Sequence, residues 1–412
     1  MDDGALAKLR QEVDALRDEF LGFASDMVRI PTVNPPGSYE EIAAYVHKRF
    51  CEFGFESQIV EVPREFTDAL GLAAPRTNVI GTLRGESARP CLVLNPHLDT
   101  VGAGDPATWR YPPFAGVVAD GRLWGRGACD CKGRLASFAL AMAALRRAGI
   151  RLKGDLVLAA TADEEVGGKA GTGYLLDNHY IDADWAILEG FINVLFLGCG
   201  GMLSFRLVLE GKSAHMSTPW LGKNAIEKAS HAIAALEELQ EELRRQPSEI
   251  PEFRYSTLNV GTIQGGVKDS VVPQHCEINA DMRLMPGHAP ADMLERVRTK
   301  LDSLAAADPD FRYTLTENRS ELPYVTDPQS LPVQAIQRSI ELVRGQRIPA
   351  QISRGGSDAK YFIRRGIPAP SFGPGIKPDS MHHGVDEHIE VQDFLDASLA
   401  TAVAAVELLG QS

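Results

Sequence analysis

Three short apolar runs in this chain each end abruptly in ionisable residues, and that pattern limits the folds open to it. Cys91-Leu92-Val93-Leu94-Asn95 runs into Pro96-His97-Leu98-Asp99-Thr100. Asp155–Ala162 runs into Asp163-Glu164-Glu165-Val166-Gly167-Gly168, and Trp185-Ala186-Ile187-Leu188 runs into Glu189-Gly190. Apolar runs of this length without polar alternation read as buried strands, and buried strands call for a sheet covered by helices. In open sheets of that kind ligands gather beyond the carboxyl ends of the strands. The ionisable residues therefore fall where chemistry is expected.

Helical and strand patterns alternate around these runs. Leu6, Leu9, Val13, Leu16, Phe20, Phe23 and Met27 recur at three- and four-residue spacing, which predicts an amphipathic first helix ended by Pro31 and Asn34-Pro35-Pro36-Gly37. A second helix is expected over Tyr39–Phe53, strands over Ser57–Val62 and Asn78–Leu83, and a helix after Gly133. From about Gly200 the texture changes to strand, helix, strand, strand, helix, strand. The spans are Met202–Glu210, Asn224–Arg245, Tyr255–Ile263, Glu277–Leu284, Ala291–Ala306 and Phe311–Thr316. That order is ferredoxin-like. Helices over Leu331–Arg344 and Val391–Leu409 then restore the first texture. The expected fold class is α/β: a domain with a mixed, mostly parallel sheet flanked by helices (1–199 and 318–412), interrupted by an inserted ferredoxin-like α+β domain (200–317).

At 412 residues the chain has the length of two or three domains, and its net charge of −13 gives no basic footprint for nucleic acid or anionic lipid. The six cysteines form no paired framework, the N-terminus lacks the charged and apolar regions of a cleaved signal, and no apolar run is long enough to cross a bilayer. A soluble protein of a reducing cytoplasm is expected.

Two further segments carry reactive side chains. Gly125-Arg126-Gly127-Ala128-Cys129-Asp130-Cys131-Lys132-Gly133 can drop one carboxylate into a crowded turn ahead of a helix, and His382-His383-Gly384-Val385-Asp386-Glu387 precedes the last helix. Side chains next to a ligand ordinarily point away from it, so Cys129 and Cys131 are expected to serve packing before a Cys-x-Cys metal site. Together, His97, Asp130, Glu164, Glu165, Glu189 and His383 offer two imidazoles, a carboxylate able to bridge, two more carboxylate ligands and one carboxylate left over as a base. Such a set suits two divalent zinc-like ions.

These ordered motifs, with Gly211-Lys212-Ser213-Ala214-His215 between them, resemble the M20 family of metallohydrolases, a group of deacetylases, desuccinylases, aminoacylases and carboxypeptidases. The resemblance spans nearly the whole chain. It implies that His97, Asp130 and Glu189 hold one ion and Asp130, Glu165 and His383 the other, with zinc expected and cobalt or manganese as alternatives. It further implies Glu164 as the general base acting on a water between the ions, and Asp99 as the partner that orients His97. The inserted domain becomes a lid through which a homodimer forms, and His215 stabilises the oxyanion in the partner subunit's site. Arg283 and Asn259 on lid strands, together with Gly356 and Ser357 in the Arg354–Asp358 loop, are the expected contacts for a substrate carboxylate. The implied reaction is hydrolysis of the amide of an N-acyl amino acid or similar small carboxylate-bearing amide. A dipeptidase, an exopeptidase or an aminohydrolase of aromatic amines is the alternative. Where relatives carry Met, this chain has Cys131, and the Asp130–Cys131 peptide bond is expected to be cis.

Overall fold

The computed structural model describes residues 3–248, 250–251 and 253–410; Met1, Asp2, Gln411 and Ser412, at the ends of the expected outer domain, lie outside the described residues. The chain separates into two compact units, one of 1–198, 326–351 and 357–412, the other of 199–325 and 352–356.

In the first unit, strands β1 (Glu56–Glu61), β2 (Thr77–Leu83), β3 (Cys91–Asn95), β6 (Asp155–Ala160) and β7 (Trp185–Leu188) form a sheet in the order β1-β2-β6-β3-β7. Between β3 and β6 a short hairpin, β4 (Val117–Ala119) and β5 (Arg122–Trp124), pairs with His388–Glu390 instead. β3 runs parallel to both β6 and β7, whereas β1–β2 and β2–β6 are antiparallel. The sheet is therefore mixed, and its parallel part holds the three apolar runs. Every residue of β3 and β6 is buried, as unbroken apolar runs require.

Helices supply the cover. The first, Asp3–Arg29, buries Leu9, Val13, Leu16, Phe20, Phe23 and Met27, the stripe read from its spacing. It packs on Lys132–Arg147, which is buried over nearly its whole length and also meets the last helix, Val391–Leu409. Burial on all sides explains the run of alanine and leucine in Lys132–Arg147, where charge appears only at the ends.

β8 (Leu195–Cys199) leads toward the second unit. There β9 (Gly201–Glu210), β10 (Thr257–Gly265), β11 (His275–Leu284) and β12 (Arg312–Glu321) form an antiparallel sheet in the order β10-β11-β9-β12. Helices Ala225–Arg244 and Pro290–Ala307 pack on it around Leu203, Phe205, Leu207, Leu236, Ile278 and Val297. The strand-helix-strand-strand-helix-strand order and this sheet order together make a ferredoxin-like unit. Segment 352–356 also groups here, although the sequence reading assigns it to 318–412. The Gly200 amide donates to the Ser353 carbonyl at 3.0 Å, which ties that segment to the start of the unit.

Candidate metal centre

Parallel pairing brings the three strand ends to one edge of the sheet. His97 bridges to Thr161 in parallel, so the residues just past β3 and β6 lie side by side, and Glu189 follows β7 directly. Asp130 arrives from the glycine-rich turn before helix Lys132–Arg147, and His383 from the loop before the last helix. A single buried carboxylate joins these two loops. Glu387 accepts backbone N–H groups from Gly127, Cys129 and Asp130 at 3.1, 2.9 and 2.8 Å, and its other oxygen pairs with buried Arg126. The Asp130–Cys131 peptide bond is cis, as expected.

Asp130 is shared between two groups of side chains. Its Oδ1 lies 3.2 Å from His97 Nε2, and its Oδ2 lies 3.2 Å from His383 Nε2. His383 Nε2 is also 3.2 Å from the Glu165 carboxylate. His97 Nδ1 faces the Asp99 carbonyl at 3.0 Å and Asp99 Oδ1 at 3.4 Å. Nδ1 is anchored there, which leaves Nε2 as the nitrogen turned toward Asp130 and the atom a metal would take in place of its proton. The donor atoms of His97, Asp130 and Cys131 lie within 4.8 Å of one another, as do those of Asp130, Glu165 and His383. Cys131 thus departs from expectation: the peptide turn carries its sulfur toward the imidazole. Cys129 lies 3.4 Å from Arg134 Nη2 instead. Glu189 is buried but belongs to neither tight group.

The charges in this pocket are strongly perturbed. Burial pushes Glu164 well above the usual carboxylate range and Glu189 up to about 8, partly countered in each by His97. Burial also acts to raise Asp130, but the His383 and His97 imidazoles hold it well below its ordinary value. Hydrogen bonds to Asp130 and Glu165 push His383 up to about 10. A buried collection of carboxylates with two imidazoles facing a shared aspartate is costly without cations, and it offers the hard and borderline donors that divalent ions take. The residues present therefore fit a pair of divalent metals.

A second layer holds the acidic loop in place. Asp99 accepts the backbone N–H groups of Glu164 and Glu165 at 3.3 and 3.2 Å, and Asn34 Nδ2 donates to it at 2.9 Å. Asp99 thus positions the Glu164–Glu165 turn as well as the His97 ring. Beneath that turn, Arg76 Nε meets Asp163 Oδ1 at 2.7 Å, with both side chains almost wholly buried. Asp163 itself adopts a left-handed φ of +76°. Gly168 packs where a Cβ would fall 1.8 Å from Asp358 Oδ1, which explains the second glycine of the Gly-Gly pair. Asp358 accepts Thr172 Oγ1 at 2.6 Å while Oδ1 is buried without a hydrogen-bond partner, and burial raises its carboxyl to about 6.

The remaining residues named from the sequence lie elsewhere. His215, exposed in the second unit, contacts Ser217 Oγ through Nδ1 at 2.8 Å. Asn259 is exposed on β10 opposite Asp281. Arg283, on β11, pairs with Asp281 at 3.0 Å and lines a cavity of about 560 Å3 with Tyr255, Thr257 and Arg354. Gly356 is exposed, and Ser357 Oγ accepts the Ala359 N–H at 3.3 Å ahead of a helix of only five residues, Ala359–Ile363. Sequence reasoning passed over Arg134, whose Nη1 lies 3.1 Å from Asp130 Oδ1, although its four-residue spacing from Asp130 in a helical turn was a usable signal. It also gave no role to Glu387.

Two imidazole–carboxylate groups sharing one aspartate at the ends of sheet strands define a metal-dependent hydrolase. The chain belongs to peptidase family M20/M25/M40, whose sequence profile matches residues 93–407, and it is a hydrolase of amide bonds. It is 27% identical to an N-formyl-4-amino-5-aminomethyl-2-methylpyrimidine deformylase of Halalkalibacterium halodurans over 95% of this chain and 94% of that one. It is 30% identical to a succinyl-diaminopimelate desuccinylase of a Methylobacterium species, over 91% and 92% respectively. Among solved structures, aminopeptidase PepT of Bacillus cereus shares the fold with a TM-score of 0.76 at 21% identity, covering 95% of this chain and 98% of that one.

Proposed function

We propose that the protein hydrolyses the amide bond of an N-acyl amino acid or a similar small amide bearing a free carboxylate, with two divalent ions bound at Asp130. The supporting observation is that the two Asp130 oxygens each face the Nε2 of a different histidine at 3.2 Å. In this reading His97, Asp130 and Glu189 hold one ion, and Asp130, Glu165 and His383 the other; zinc is the expected metal, with cobalt and manganese as alternatives. Bound there, the ions polarise the amide carbonyl and bring a water's pKa toward neutrality. Glu164 takes the proton of the attacking water and returns it to the leaving nitrogen; burial raises its carboxyl above the usual range, which strengthens it as a base. Asp99 fixes the His97 tautomer and the Glu164 backbone.

His215, Arg283, Asn259, Gly356 and Ser357 are the proposed substrate contacts. His215 stabilises the oxyanion in the partner subunit's site. Arg283 takes the substrate carboxylate with its planar fork, assisted by Asn259 and by the Gly356–Ser357 loop. Arg354 beside Arg283 in one cavity supports an anionic substrate group. A homodimer through the second unit is supported by the apolar side chains of Met216, Trp220 and Leu221, 53, 74 and 58% exposed in the loop that carries His215. All six cysteines are free, consistent with a reducing cytoplasm.

The test is a hydrolysis panel after metal removal and add-back: N-acetyl, N-formyl and N-succinyl amino acids, dipeptides, aryl amides, and N-formyl amines without a carboxylate. Preference for the carboxylate-bearing N-acyl compounds is expected, falling at least tenfold in kcat/KM for Arg283→Ala. Equal turnover of the formyl amines would instead align the enzyme with its deformylase relative, and preference for dipeptides with the alternative reading.

A further inference from the structure

Cys131 is wholly buried, and its sulfur belongs to the donor group of His97 and Asp130, all within 4.8 Å of one another. Donor atoms around a tetrahedral zinc ion stand roughly 3–4 Å apart, given Zn–S of about 2.3 Å and Zn–N of about 2.0–2.1 Å. Closing the three groups onto one ion therefore needs only small side-chain movements. A cysteine serving packing alone gains nothing by facing an imidazole nitrogen and a carboxylate, and Cys129, two residues earlier, does not share that group. The second position is chemically different. Asp130, Glu165 and His383 offer nitrogen and oxygen only, and the His383 side chain is 48% exposed.

We propose that Cys131 Sγ is a ligand of the ion held by His97 and Asp130, making this position a nitrogen–oxygen–sulfur site that selects a thiophilic divalent cation, zinc before manganese. The inference rests on the two-metal reading above. As the sulfur–metal bond forms, the thiol gives its proton to solvent, so Cys131 joins His97, Asp130 and Glu189 as a thiolate ligand. Over both positions, the charges of Asp130, Cys131, Glu165 and Glu189 match those of two divalent ions. The two positions then differ in softness, the His97 side favouring zinc and the His383 side accepting harder ions such as manganese.

Zinc-edge X-ray absorption on the full chain, stripped and reloaded with one equivalent of zinc, tests this without any substitution. A sulfur scatterer at about 2.3 Å is expected. It should persist in Cys129→Ser and vanish in Cys131→Ser and Cys131→Met. In Cys131→Ser, competition between zinc and manganese should show zinc affinity reduced by at least the roughly 10- to 100-fold that loss of an outer-shell partner costs, with manganese affinity little changed. Bound zinc with a purely nitrogen–oxygen shell would overturn the role of Cys131 and leave the two-metal reading intact. A sulfur shell lost in Cys129→Ser instead would overturn it in favour of the other cysteine. Failure of the wild-type chain to bind zinc at all would overturn the two-metal reading and this inference with it.

Discussion

The carboxyl group of Glu189 is buried at the end of β7, and burial raises it from an ordinary 4.5 to about 8. In the unfolded chain it ionises near 4.5, so between those values the folded state holds the extra proton. Stability contributed by the protonated form is complete below about pH 4.5 and is lost as pH rises through about 8. Asp358, raised to about 6, acts in the same direction. A divalent ion on the carboxylate removes the penalty, because it favours the ionised form. The metal-free protein is therefore expected to melt at progressively lower temperature from pH 4.5 to 8, with a shallower fall in Glu189→Gln and after metal loading. An unchanged slope in the metal-free Glu189→Gln protein, followed by thermal denaturation, would show that Glu189 is not the group responsible. The candidate ligand residues were readable because they sit immediately beyond apolar runs or in glycine-containing turns. Their supports were not. Arg76 and Asp163 are 87 positions apart, and Glu387 reaches its three amide donors across more than 250. Nothing local in those residues announces a partner.

Elements were legible in proportion to their length and periodicity. The helix Asp3–Arg29 and the ferredoxin-like set of strands and helices follow from spacing alone, with ends shifted by a few residues. The hairpin of β4 and β5, three residues in each strand, left no pattern to read, since its partner is the distant segment His388–Glu390. The sheet was expected to be mixed and mostly parallel; it is mixed, with two of its four strand pairings parallel and two antiparallel. The Gly211–His215 stretch was read for its histidine, and the structure adds the exposed apolar side chains of Met216, Trp220 and Leu221 after it. If that face joins two copies, Trp220→Glu places a charge where a desolvated contact should form. Light scattering at micromolar concentration is expected to give twice 44.7 kDa for the parent chain and a shift toward the single mass for the variant. A parent chain that scatters as a monomer at all concentrations would remove the dimer from the account.

For the whole molecule, a net charge of −13 gives no basic footprint for nucleic acid or anionic lipid, and no helix among the described residues is long and apolar enough to cross a membrane. The structure gives part of that charge a location. Asp99, Asp130, Glu164, Glu165 and Glu189 come from four segments of a 412-residue chain to surround the imidazoles of His97 and His383. A buried site of this acidity is costly without cations, and in the proposed mechanism its reactivity depends on Glu164, the carboxylate assigned to no ion. Metal content and turnover of Glu164→Gln, measured on the same preparation, examine that division directly. Unchanged metal stoichiometry with turnover reduced roughly 100- to 10,000-fold is the expected result, the range a general base contributes. Turnover within a few-fold of the parent at full metal content would contradict the assignment of Glu164 as the base.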